Sequence, residues 1–170
     1  MGVFKITASR LSWLGGAADD PEDRCLHGLV TVNIGGEVFE EYGTVSATAL
    51  YLLKTLTEDK PLARGVIQMI PCCGHFLIAS DDLSHVDISG CDTGFDWATV
   101  HDGGEVRLIL PSGREERVAL ADYREEVFRF ADAIEAFYKS CTPKTAPQDE
   151  FDRRGYTAFW NEWRRRRNAN

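Results

Sequence analysis

The chain has 170 residues, 44% of them apolar and 11% aromatic, with 27 acidic against 19 basic side chains. Disorder and collagen-like repeats are excluded, and the length predicts a single domain over residues 1–170 whose core needs neither disulfides nor a structural metal. The net charge of −8 is uneven, because residues 151–170 hold six arginines against Asp152 and Glu162, which leaves the rest of the chain more acidic than the whole.

Phe4, Ile6 and Ala8 alternate with Lys5, Thr7 and Ser9, which predicts a half-buried first strand running through Trp13 and closing at Gly15-Gly16. Residues 17–24 carry Asp19, Asp20, Pro21, Glu22 and Asp23 and read as a surface loop. Val30, Val32 and Ile34 share one face of a second strand, and Gly35-Gly36 turns it into a hairpin partner over residues 37–42. From Thr44 to Leu56 the period changes: Ala49, Leu52, Leu53 and Leu56 fall at helical spacing, with Leu50 and Tyr51 widening the stripe and Thr44 or Ser46 as N-cap.

After Glu58-Asp59-Lys60-Pro61, short apolar runs at 66–70, 76–79, 85–89, 97–101, 106–110 and 116–120 alternate with turn residues and predict an antiparallel meander. Asp122 and Glu125 suggest a capping box opening a helix with Tyr123, Val127, Phe130, Ala131, Ile134 and Phe137 on one face, ended by Thr142-Pro143. Pro147, Asp149, Glu150 and Asp152 suit the start of a last helix striped by Tyr156, Phe159, Trp160 and Trp163, with Gly155 expected to delay it and Arg164–Arg167 complementing its dipole. The order implies an α+β fold: an antiparallel β-meander sheet with one internal helix and two C-terminal helices packed on one face.

Chemistry-bearing residues concentrate between 72 and 101, where Cys72, Cys73, His75, His85, Cys91 and His101 occur. Zinc sites pair their ligands as C-x₂₋₄-C or H-x₃₋₅-H, and neither spacing is present, so no metal is expected. Four-residue and three-residue hairpin loops at 81–84 and 102–104 put Leu77 opposite Ile88 and Val100 opposite Val106. That register sets His75 and His85 on opposite faces and leaves His101 beside a turn. Buried thiols and a hydrogen-bonded core histidine are therefore preferred to a catalytic group of Cys72, Cys73, His75 and His101, with Asp96 or Asp102 as orienter. Neither glycine-rich phosphate loop is present, and no cofactor is expected.

No apolar run approaches the ~20 residues that span a bilayer, the N-terminus does not read as a leader, and the cysteines are odd in number, so a reducing, cytoplasmic setting is expected. An acidic body repels phosphate backbones and anionic lipid, which argues against nucleic acid or membrane and for a basic protein partner. Asp19, Asp20, Glu22, Asp23, Asp81, Asp82, Asp92 and Asp96, on candidate loops, are the expected partner-facing residues.

In Thr44–Leu56 (TVSATALYLLKTL), PCCGHF at 71–76, GFDWATVHDGG at 94–104 and AFWNEWRRR at 158–166, the chain resembles a group of small bacterial cytosolic proteins of unknown function. The likeness extends over most of the chain and carries over no catalytic residues. More loosely, its size, acidity and fold class resemble those of the immunity proteins that neutralise bacterial toxins, which implies a non-enzymatic, protein-binding role.

Overall fold

The computed structural model describes residues 2–16, 18–63, 67–72, 76–90 and 93–169. Three strands, β1 (Phe4–Trp13), β2 (Leu26–Ile34) and β3 (Glu37–Thr44), form an antiparallel meander in that order and lead directly into helix α1 (Val45–Lys54). Then come β4 (Ile70–Pro71), β5 (Phe76–Ala79), β6 (Val86–Ser89), β7 (Gly94–Phe95), β8 (Ala98–Asp102), β9 (Glu105–Ile109) and β10 (Glu115–Ala119). Helices α2 (Leu120–Ser140) and α3 (Glu150–Arg167) complete the chain. The α+β class and the antiparallel meander follow the sequence pattern. Among the described residues the strands divide into four ladders, β1-β2-β3, β8-β9-β10, β4-β7 and β5-β6, where the sequence suggested a continuous sheet. Runs of two to five residues broken by Pro, Gly and Asp are too short to sustain one.

All ten residues of α1 are buried, because it is wedged against β2, β4, α2 and α3. Thr44 occupies its N-cap position, but the hydroxyl lies 3.3 Å from His27 Nε2 and caps nothing. The even-numbered apolar residues of β1 face the core as far as Ala8. A register shift between Ser9 and Ser12, with Arg10 in the left-handed region at φ 51°, then buries odd-numbered Trp13. This is the action of a β-bulge.

Three local expectations are corrected. The loop at Gly103-Gly104 has two residues, with Asp102 opposite Glu105, so Thr99 and His101 face Leu108 and Val106; a one-residue slip turns every side chain over. Gly103 at φ 65° supplies the backbone conformation that such a tight turn demands. Helix α2 starts at Leu120 with Ala119 as N-cap, placing Asp122 in the first turn, where the dipole favours it, and no capping box forms. Gly155 does not delay α3, which Asp149 caps through the Asp152 amide (3.1 Å), but lies inside it and buried.

Packing explains that glycine. A Cβ at position 155 would stand 2.1 Å from the Leu77 carbonyl oxygen, so only glycine lets α3 lie on the edge of β5. The outer edge of β6 is closed by side chains instead of a strand. The Val86 amide donates to Glu162 (2.8 Å), its carbonyl accepts from Lys54 (2.6 Å), and the Ile88 carbonyl accepts from Tyr51 (3.1 Å). The β5-β6 hairpin, with Leu77 opposite Ile88 and Ala79 opposite Val86 as the alternation predicts, is thereby fixed between α1 and α3.

Candidate binding cleft

The thiols and imidazoles do not assemble among the described residues. Cys72 follows β4, its amide bonded to the Thr93 carbonyl (3.1 Å) and its Sγ 2.7 Å from the Thr93 hydroxyl. His101 Nδ1 lies 2.8 Å from Asp59, whose carboxyl is held below its usual range chiefly by the His101 amide, while His101 Nε2 is buried with no hydrogen-bond partner. Neither ring nitrogen meets a thiol among the described residues, and His101 is a half-buried neighbour of Asp59, not the turn-flanking surface residue expected. His85 is shared between Glu162 and Asp87, at 3.1 Å from each. Cys73, His75, Cys91 and Asp92 lie outside the described residues. No group of three or more His, Cys, Asp or Glu among the described residues could hold a metal ion.

The loop acids are divided by their surroundings. Asp96 is buried, receives Lys60 Nζ and the Met69 amide, and cannot face a partner; burial pushes its carboxyl up and the Lys60 ammonium down, each opposed by the other's charge. Asp82 organises the 81–84 hairpin by accepting from Ser80 and from the amide and hydroxyl of Ser84, which bring its pKa down to about 2. Asp19 clasps the segment after α2 through Lys144 (2.8 Å) and the Thr142 amide, and its pKa also falls to about 2. Asp23 accepts from the amides of Gly15 and Cys25, and Asp20 from that of Glu22 (2.8 Å). Asp81 is exposed, with its backbone carbonyl accepting from Arg154 (3.3 Å).

The loop that carries Glu22 and Asp23 borders a cleft of about 580 Å³. Ser46 and Ala47 of the first turn of α1 line it, Leu77 and Ile88 of the β5-β6 ladder supply one apolar wall, and Tyr138, Tyr156 and Phe159 come from α2 and α3. Glu22, Asp23, Arg24 and Asp152 add charge to the lining. The Arg24 guanidinium is engaged, bonding Thr145 and lying 5.9 Å from the centre of the Tyr156 ring. Among the described residues, the Glu22 and Asp152 carboxylates have no ion-pair partner.

Among the described residues, the thiol and the buried phenol of this cleft are not activated. Burial, offset in part by a hydrogen bond with Thr44, pushes the Cys25 thiol up to about 11, so at neutral pH it is protonated. Its histidine neighbour, His27, approaches the Cys25 carbonyl with Nδ1 at 3.4 Å. Tyr138 donates to the Arg24 carbonyl (2.8 Å), and burial holds its phenol well above the ordinary range. The arrangement suits recognition: apolar walls to desolvate a guest and a few charged groups to orient it. Sequence reasoning named Glu22 and Asp23 as partner-facing acids but missed Asp152, Tyr138 and Tyr156 as cleft residues: Tyr156 read as part of a helical core stripe, Asp152 as a helix-start acid, and Tyr138 fell outside the apolar stripe of its helix.

Compared with protein-family models, curated proteins and solved structures, the chain matches none.

Proposed function

We propose that the protein is a non-enzymatic binding module that covers a basic protein partner, in the manner of the immunity proteins that neutralise bacterial toxins. The observation that carries this reading is the surplus of exposed acid beside the cleft. Among the described residues Glu22 and Asp152 stand without internal counterions, in a chain whose net charge is −8. Such a surface attracts a cationic partner and speeds its encounter, while a few central contacts supply most of the affinity.

The test is recovery of partners from the native host with wild-type protein and with the exposed-acid variant Glu22→Lys/Asp81→Lys, read by native mass spectrometry. The reading expects a basic protein that co-purifies with wild type at low salt, is released as ionic strength rises, and is lost with the variant. A stoichiometric metal, a rapidly alkylated Cys72 or Cys73, or a partner indifferent to both changes would overturn it in favour of chemistry at Cys72, Cys73, His75 and His101.

A further inference from the structure

We infer that the cleft itself is a binding site for a small organic cation with an apolar, aromatic body. This goes beyond the protein-partner reading and stands or falls separately from it. At about 580 Å³ the cleft falls within the range of small-molecule sites, roughly 300–1,000 Å³. Its interior surfaces from Leu77, Ile88, Ala47 and Phe159 reward burial of an apolar body.

Charge selects the guest's head group. Three carboxylates, Glu22, Asp23 and Asp152, line the cleft against one cation, Arg24, which already bonds Thr145 and rests on Tyr156. An anion is repelled there, a neutral guest gains only the walls, and a cation gains walls and carboxylates together. The chain holds its own cations in a related way: Lys144 Nζ lies 3.5 Å from the centre of the Trp13 ring with Asp19 as counterion, and in the cleft Arg24 approaches Tyr156. Aromatic faces combined with carboxylates are a general means of recognising cations.

Tryptamine and indole-3-propionate are nearly the same shape and opposite in charge, and serve as probes in titrations of the full chain followed by amide NMR shifts. Tryptamine should shift resonances of Tyr138, Tyr156 and Ile88, and indole-3-propionate should bind about tenfold more weakly or not at all. In Glu22→Gln/Asp152→Asn, two exposed substitutions that leave the core untouched, that preference should collapse toward parity. Ala47→Leu, which fills the cleft, should abolish both shifts; if it does not fold, the double variant decides alone. Equal affinity for the two probes, no tryptamine shifts at the cleft in folded wild type, or an unchanged preference in the double variant would overturn the assignment.

Discussion

Asp19 shows how one side chain can be legible in kind and illegible in role. Its sequence neighbours mark a solvated acidic loop, and it is indeed partly exposed. Yet it ties that loop to the segment after α2, 123 residues away at Thr142 and 125 away at Lys144. Its carboxyl is held at about 2 against an ordinary 3.8, mainly by the Lys144 hydrogen bond. A depressed folded-state pKa means that the unfolded chain takes up the proton first as pH falls. The clasp therefore contributes fully above pH 3.8 and is lost as pH drops through about 2. Urea midpoints of wild type and Asp19→Asn should differ at neutral pH and converge toward pH 2; a constant difference across that window would show that the clasp is not ionic. Asp96 teaches the converse: it resembles the other loop acids in sequence, but its neighbours Met69 and Lys60 draw it beneath the surface.

At the scale of elements, the helices and the longer strands follow from periodicity, while the two-residue strands β4 and β7, the turn geometry and the inter-element contacts do not. The β5-β6 register was readable because its alternation and its four-residue turn agree. The β8-β9 register was not, because Asp102-Gly103-Gly104 is compatible with loops of two or three residues and the choice turns every side chain over. Gly155 is the sharpest case. Within a helix, replacing glycine by alanine ordinarily stabilises by up to about 1 kcal/mol. Here the added Cβ meets the Leu77 carbonyl oxygen at 2.1 Å, and forcing α3 away from β5 costs about 1–3 kcal/mol, so Gly155→Ala should destabilise overall. Urea denaturation reads the sign directly, and a gain in stability would mean that α3 and β5 are less closely packed than described.

Across the whole molecule, a buried ionic network joins three elements that the sequence separates. Glu162 of α3 meets Lys54 of α1, His85 beside β6, and Arg166, which continues to Glu58 and the Lys54 carbonyl. Burial alone would raise the Glu162 carboxyl, but the Val86 amide, Lys54 and Arg166 outweigh it and hold it below its ordinary range. The C-terminal arginines are accordingly more than a solvated terminus complementing a dipole: Arg166 is buried in this network and Arg167 pairs with Asp132 (2.6 Å), while Arg164 is exposed. Arg166→Met should cost about 2–3 kcal/mol in urea denaturation, because it removes the cation nearest the buried Glu162 carboxylate and leaves Lys54 as its remaining buried counterion. Arg164→Met should stay within about 0.5 kcal/mol, and similar losses at the two positions would mean that the network is not buried.

By itself the sequence determined the α+β class, the antiparallel β1-β2-β3 meander, the three helices and the acidity of the body, all of which depend on the local period of apolar residues and on composition. Tertiary structure alone decided which acids stay exposed, where His101 points, why position 155 must be glycine, and that Glu22, Tyr138, Asp152 and Tyr156 border one cleft. The physical reason is distance along the chain: periodicity reports which face of an element is apolar, but not which other element comes to cover it.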